Sequence, residues 1–323
     1  MSSDQGVIYM FRKIVLWLIF ITINIYVLAN ISYLNAVYSM KDMSFQDAKT
    51  LTKAMFGNRD SQYNLGEMYF KGIGVPQDYK QSVYWVEKSA DQGDAKAEIA
   101  LAIFYIQGEN LPKDIDKAVS LIKKSAEKNN AQAQYILGVL YLAGSSNVTA
   151  DKQQGISWLT KSALQGYLIS QFALGLLYAQ QNDNEQAAYW HGKSADQGHP
   201  FSQRYIGQMY LNKGDNLNAI TWLTKSAEQN DSLAQNTLAG IYAQMESYKQ
   251  AYIWLSVAKA NGQPMVVGGE MLWATIGDMI TSEDRTNAMK EVADIKKKID
   301  FNLANSHMPS INELLTGGPA QPF

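Results

Sequence analysis

Residues 63–93 read YNLGEMYFKGIGVPQDYKQSVYWVEKSADQG, and this stretch decides the fold because its spacing recurs along the chain. Its Leu65-Gly66 pair aligns with Leu101-Ala102, Leu137-Gly138, Leu174-Gly175, Ile206-Gly207 and Leu238-Ala239. A tyrosine follows each pair at the same offset: Tyr69, Tyr105, Tyr141, Tyr178, Tyr210 and Tyr242. A second anchor follows in turn, at Trp85, Leu121, Trp158, Trp190, Trp222 and Trp254. Six segments in one register are the mark of a repeat architecture.

Within each repeat the apolar spacing is helical. Leu65, Gly66, Tyr69 and Phe70 fall on one face of a first helix, helix A. Three residues before each anchor stands a small residue, Ser82, Ala118, Gly155, Ala187, Ala219 or Ala251, as tight packing of a second helix, helix B, requires. Eight residues after each anchor come Gly93, Asn129, Gly166, Gly198, Asn230 and Gly262, the two residue types that best tolerate a left-handed helix end. Counting back reaches Gly57, so a lone helix B with Ser44 as its N-cap opens the array. From each anchor to the next tyrosine the distance is always 20 residues, whereas tyrosine to anchor is 16, 16, 17, 12, 12 and 12. The B-to-A turn is therefore fixed, and all length variation lies in the A-to-B turn. The first three repeats carry the longer loops, expected to project from one edge.

These residues resemble the Sel-one-like repeat family, relatives of the tetratricopeptide repeat. The first repeat carries the resemblance best: Tyr63-Asn64-Leu65-Gly66, Met68-Tyr69, Gly72-Ile73-Gly74-Val75, Asp78, Trp85, Lys88-Ser89-Ala90 and Gln92-Gly93. Repeats four to six lack the Gly-x-Gly-Val loop and approach plain tetratricopeptide spacing. The resemblance implies an all-α fold, a right-handed α-solenoid of antiparallel helix pairs, and a scaffold or adaptor role. Members linked to enzymatic activity resemble a cysteine-paired subgroup, and this chain has no cysteine.

Three regions are expected: a signal peptide or N-terminal membrane anchor over 1–34, a repeat solenoid over 44–303, and a disordered tail over 304–323. Arg12 and Lys13 precede the apolar run Ile14 to Ala29, shorter than the roughly 20 residues of a spanning helix. A cleaved signal ending at Val27-Leu28-Ala29 and an anchor extended through Leu34 both send the rest of the chain out of the cytoplasm, and a bacterial periplasm fits. Gly268-Gly269 interrupts a seventh helix A. Ser282 is the expected cap of a last helix from Glu283 to Asn302, with Lys290, Lys296, Lys297 and Lys298 facing water.

The 323 residues are only 18% charged, below the roughly 25% of soluble domains, and the net charge of −2 offers no basic stripe for nucleic acid. Zero cysteines exclude disulfides and thiolate chemistry. His191, His199 and His307 have no metal-ligand spacing and read as surface polar residues. Ser89, Ser125, Ser162, Ser194 and Ser226 recur beside lysines at one structural position, which argues for packing over nucleophilic catalysis. Lys88, Lys124, Lys161, Lys193 and Lys225 suit the negative end of helix B. No cofactor, metal or small-molecule substrate is indicated.

By analogy with the tetratricopeptide repeat, helix A lines the concave face. The partner-binding residues expected there are Tyr63, Glu67, Ile99, Ile103, Tyr135, Val139, Phe172 and Leu176, apolar in repeats two to four and giving way to Arg204, Asn236, Gln208 and Gly240. Either these columns form an open groove for an apolar or helical peptide, or packing hides them. The function expected is a non-enzymatic scaffold binding a protein or peptide outside the cytoplasm, held to the membrane if its leader is uncleaved. An inhibitor or immunity-type protein occluding a secreted toxin, and a cell-envelope hydrolase, are the alternatives.

Overall fold

The computed structural model describes residues 44–144, 148–262 and 269–305. The apolar leader, Gly268, His307 and most of the 304–323 tail lie outside these residues. Among the described residues fifteen α-helices follow one another: α1 (Phe45–Met55), α2 (Arg59–Lys71), α3 (Tyr79–Asp91), α4 (Ala95–Gln107), α5 (Ile115–Glu127), α6 (Ala131–Ala143), α7 (Lys152–Leu164), α8 (Leu168–Gln180), α9 (Asn184–Asp196), α10 (Pro200–Asn212), α11 (Asn216–Ala227), α12 (Ser232–Gln244), α13 (Tyr248–Ala260), α14 (Gly269–Met279) and α15 (Ser282–Asn305). None of them is long and apolar enough to cross a membrane. The chain forms two compact units, Met1–Leu101 and Ala102–Phe323, the boundary falling inside α4. Both are built of antiparallel helix pairs, with α2 on α3 in the first and α6 on α7, α8 on α9, α10 on α11 and α12 on α13 in the second.

Glycine at the A–B crossing sets the approach. A Cβ on Gly66 would meet Val86 Cγ2 at 2.6 Å, on Gly138 Leu159 Cγ at 2.8 Å, and on Gly207 Leu223 Cγ at 2.7 Å. Val86, Leu159 and Leu223 are accordingly buried. The residue after each aromatic anchor thus packs on the helix A backbone, and the tyrosine flanks it.

The B-to-A turn repeats a Schellman motif. Gly93, Asn129, Gly166, Gly198, Asn230 and Gly262 all have positive φ, as does Gly57. The next residue donates its N–H to the carbonyl five back: Asp94 to Ser89, Asn130 to Ser125, Tyr167 to Ser162, His199 to Ser194 and Asp231 to Ser226. That same residue is the N-cap of the following helix A, with Asn58, Asp94, Asn130 and Asp231 accepting first-turn N–H groups. Ser44 caps α1 by accepting the Asp47 N–H at 3.2 Å.

The A-to-B turns have a positive-φ column of their own: Gly72, Gly108, Gly144, Asn182, Gly214 and Glu246. An aspartate N-cap then starts helix B at Asp78, Asp114, Asp151, Asp183 and Asp215. The long loops do not simply project. Val75 is buried against Leu51, Ala54, Leu65 and Met68, and Val148 is buried as well.

A column of buried glutamines joins successive repeats. Gln62, Gln134, Gln171, Gln203 and Gln235 each donate from Nε2 to an alanine carbonyl eight residues back, on the preceding helix B. In four of them Oε1 accepts in turn from a glutamine at the end of helix B of the same repeat, Gln92 to Gln62, Gln165 to Gln134, Gln197 to Gln171 and Gln229 to Gln203, whereas Gln235 Oε1 has no such partner.

At the end of the second unit Ile276, Ala288, Val292 and Ile299 join the core around Leu238 and Trp254. Thr281, one residue earlier than expected, caps α15 by accepting the Asp284 N–H at 3.0 Å. Lys290, Lys297 and Lys298 are exposed, and two of the lysines have partners, Lys298 on Glu228 at 2.6 Å and the half-buried Lys296 on Asn261 at 3.3 Å. Glu228 and Asn261 terminate helices, so these cations meet the negative ends of α11 and α13.

Gly198→Ala meets no atom within 4 Å. It is expected to lose about 1 kcal/mol from its left-handed backbone alone. Gly207→Ala keeps helical φ but drives a methyl into Leu223, and is expected to lower the melting temperature further. Gln171→Ala removes the hydrogen bonds to the Ala163 carbonyl and from Gln197, each worth about 0.5–1.5 kcal/mol, while both groups keep a bond to Gly166. Thermal unfolding of these variants checks the order, and Gln171→Ala should also accelerate amide exchange in α8.

Candidate functional site

The expected face divides by exposure. In the first unit Ile99 is only 3% exposed and presents nothing to a partner, while Tyr63 and Glu67 are half-buried. Burial first and Glu67 second raise the Tyr63 pKa, holding its hydroxyl protonated. In the second unit Tyr135 is 2% exposed, its ring 5.6 Å from Tyr167, and it too leaves the face. Ile103, Val139, Phe172 and Leu176 are half-buried, so packing does not hide them. Four of the eight residues thus remain as apolar surface in the second unit.

Charge is partitioned between the two helix sets. Helices α6, α8 and α12 contain no Asp, Glu, Lys or Arg, and α10 contains only Arg204. That guanidinium lies on the Phe201 ring and pairs with Asp231 at 2.7 Å. The partner helices α7, α9, α11 and α13 each carry at least one lysine. The A-helix surface of this unit is therefore neutral, apolar at Ile103, Val139 and Leu176 and amide-bearing at Gln208.

Gly240, in the same column as Val139 and Leu176, is half-buried in the middle of α12 with nothing within 4 Å of a built Cβ. A mid-helix glycine costs about 1 kcal/mol relative to alanine, and here no packing neighbour requires it. It leaves a bare stretch of backbone on the neutral face.

Phe172 is the most elaborately held residue of the face. Its ring stacks on His199 at 4.1 Å and lies 5.3 Å from Phe201 and 6.0 Å from His191. His191 is not a surface residue: it is fully buried, packs on Gly175, and lies tilted by 30° against the Tyr205 ring at 4.1 Å. Its Nδ1 is 3.1 Å from Ser202 Oγ, and its Nε2 has no hydrogen-bond partner. His199 is not a loose surface group either, since its Nδ1 caps α10 by accepting the Ser202 N–H. Burial, then His199, pushes the His191 pKa down to about 4, and burial alone does the same for His199.

A signal for His191 was present in the sequence. The residue after each aromatic anchor is Val86, Ile122, Leu159, His191, Leu223 and Leu255, so one imidazole interrupts an aliphatic column. The cap column likewise reads Asn58, Asp94, Asn130, Tyr167, His199 and Asp231, and Tyr167 makes no side-chain cap. Both interruptions flank Phe172.

The recurring serines and lysines have structural roles. Ser89, Ser162 and Ser226 donate to the carbonyls of Arg59, Ala131 and Pro200 at the starts of their own A helices. Lys161 and Lys225 lie over the rings of Trp158 and Trp222 at 3.9 and 4.0 Å, in addition to facing the helix C-termini.

Known proteins share this architecture. The crystal structure of c5321, a protective antigen present in uropathogenic Escherichia coli strains displaying an SLR fold, is similar at a TM-score of 0.62 and 30% identity, over 81% of this chain and 59% of that one. A Sel1 repeat protein from Oxalobacter formigenes is similar at a TM-score of 0.53 and 28% identity, over 58% of this chain and 80% of that one. A sel1-like repeat-containing protein, L18, of Acanthamoeba polyphaga mimivirus is 42% identical over 41 residues, which is 13% of this chain and 7% of that protein. The chain thus spans well under two thirds of the first of these structures and a small part of the viral protein. The Sel1 repeat model matches residues 59–94, 95–130, 131–167, 168–199 and 200–231, the frames of the first five A–B pairs and over half of the chain. The chain belongs to the Sel1 repeat family.

Proposed function

We propose that the protein is a non-enzymatic scaffold that holds a neutral, apolar segment of another protein against the A-helix face of its second unit. Sel1 repeat proteins are in general protein-interaction scaffolds, which sets the class. The observation that carries the site is the row of half-buried Ile103, Val139, Phe172 and Leu176, the last three on helices with no charged side chain. Contact there draws on burial of apolar surface, at about 25 cal/mol per Å². Ion pairing contributes little, so binding is expected to change little with salt. The extracytoplasmic setting rests on Arg12, Lys13 and the apolar run that follows them.

Val139→Asp and Leu176→Asp place a carboxylate where a bound segment would have to desolvate it. Because both positions are half-exposed, the helical circular dichroism should persist, while capture of the partner from an envelope fraction should fall at least about tenfold, the equivalent of 1.4 kcal/mol. Lys290→Glu on α15 is the control and should capture normally. Two folded aspartate variants that keep every partner would refute the site.

Gly240→Ala should raise stability by about 1 kcal/mol, since the methyl enters open space in a helix interior. If that bare backbone receives the partner, the same variant binds more weakly despite melting higher.

A further inference from the structure

The two histidines around Phe172 share one hydroxyl and one helix end. Ser202 Oγ is 3.1 Å from His191 Nδ1 and 3.4 Å from His199 Nδ1, while the Ser202 N–H donates to His199 Nδ1 at 3.3 Å. His199 Nδ1 must therefore carry a lone pair, leaving its proton on Nε2. Ser202 has one hydroxyl proton. If it points to His199, His191 donates from Nδ1 to Ser202; if it points to His191, it satisfies that ring instead. Both arrangements need a neutral His199, and the second needs a neutral His191 as well.

We propose that the α9–α10 junction is an acid-operated release: protonation of His199 and His191 uncaps α10, loosens the stack that holds Phe172, and discharges a segment seated on that face. This rests on the reading of the Phe172 face as the partner site. A protonated His199 has no lone pair at Nδ1, so the cap becomes an N–H facing an N–H. With both rings charged, Ser202 Oγ would have to accept from two donors while its own proton has nowhere to go. The added charges also sit at the positive end of the α10 dipole.

The surroundings offer no counter-charge. From α8 the rings meet Phe172 and the Gly175 backbone; from α10 they meet Phe201, Ser202 and Tyr205. Arg204 of α10 and Asp231 are already paired with each other, and Asp231 also accepts from Ser226. On α9 itself Lys193 lies over Tyr189, and Asp196 is exposed. Other repeats use Asn58, Asp94, Asn130 or Asp231 at the cap and Leu159 or Leu223 at the crossing, none of which gains a positive charge in acid.

The sign follows from the depressed values. The unfolded or locally opened chain takes up protons near 6.5, the folded one only near 4, so stability is complete above the first value and drains away as pH falls toward the second.

The test is amide exchange on the full chain near pH 7.5 and near pH 5, corrected for intrinsic rates, comparing residues 202–204 with Ala133 behind its Asn130 cap. Wild type is expected to lose at least about tenfold in protection at 202–204 relative to Ala133 at the lower pH. His199→Asn with His191→Leu, which installs the residues of neighbouring repeats, should abolish that difference and keep partner capture near pH 4, where wild type releases it. Equal pH responses in the two proteins would overturn the switch, as would imidazole NMR titrations centred near 6.5. Capture by wild type that survives near pH 4 while these amides open would overturn the release. Failure of the partner site itself would show separately, near pH 7.5, as undiminished capture by Leu176→Asp; the exchange comparison needs no partner.

Discussion

The turn from each helix B to the next helix A leaves no slack, because the residue whose N–H completes the closing bond of one helix is the N-cap of the following one. Asn130 shows both halves of the constraint: its N–H goes to Ser125 O, and its side chain accepts the Ala133 N–H. A residue inserted between the two roles would break one of them. The positive-φ residue just before it reverses the chain and admits only glycine and asparagine in this array. The constant anchor-to-tyrosine spacing follows from this shared residue. The A-to-B turns end on a similar double duty, Asp183 and Asp215 each donating to a tyrosine carbonyl five back and capping the next helix, but in the first three repeats a longer loop precedes the capping aspartate, with Val75 and Val148 buried in two of them.

Once the turn fixes where one repeat meets the next, Gln62, Gln134, Gln171 and Gln203 can be buried at the junctions with both ends of the amide paired. A glutamine at a buried position would ordinarily cost more than a leucine, since its amide must be desolvated. Here the Gln203 amide donates to Ala195 O and accepts from Gln229, while Gln229 also reaches the Gly198 carbonyl. Each bond needs its partner in register. The relay therefore rewards one stacking geometry, whereas alanine and leucine contacts alone would tolerate sliding.

Periodicity made most of the fold legible. The crossing glycines, the tyrosines, the anchors and the left-handed column are all read from spacing, and each is a local requirement that one residue type meets. The glutamine relay was equally periodic, at Gln62, Gln134, Gln171, Gln203 and Gln235, but a polar residue three before a leucine or isoleucine looks like solvent-facing helix until its partners are seen. Ile99 and Tyr135 defeated the sequence reading for the opposite reason. Their column faces inward by helical phase, but whether a neighbouring side chain covers them is a matter of packing that phase does not encode. Tyr167, which displaces the usual cap residue, is what lies against Tyr135.

Repeat proteins make departures informative, since each column supplies its own reference. At the crossing after the anchor, valine, isoleucine or leucine serves in five repeats, so the fold has no need of an imidazole at His191 with an unpartnered Nε2. At the A-helix cap, asparagine or aspartate serves in four, so it has no need of His199 either. Both substitutions weaken the local rule they break, and they converge on one ring, Phe172, on a helix with no charged side chain and in a row of half-exposed apolar residues. Local rules broken together around one exposed residue are what selection for a site produces, because drift would scatter them among the repeats. The neutral face and the histidine pair are then one feature: a surface that attracts by burial alone has no charge of its own through which to respond to its surroundings, and the two imidazoles beneath Phe172 supply one.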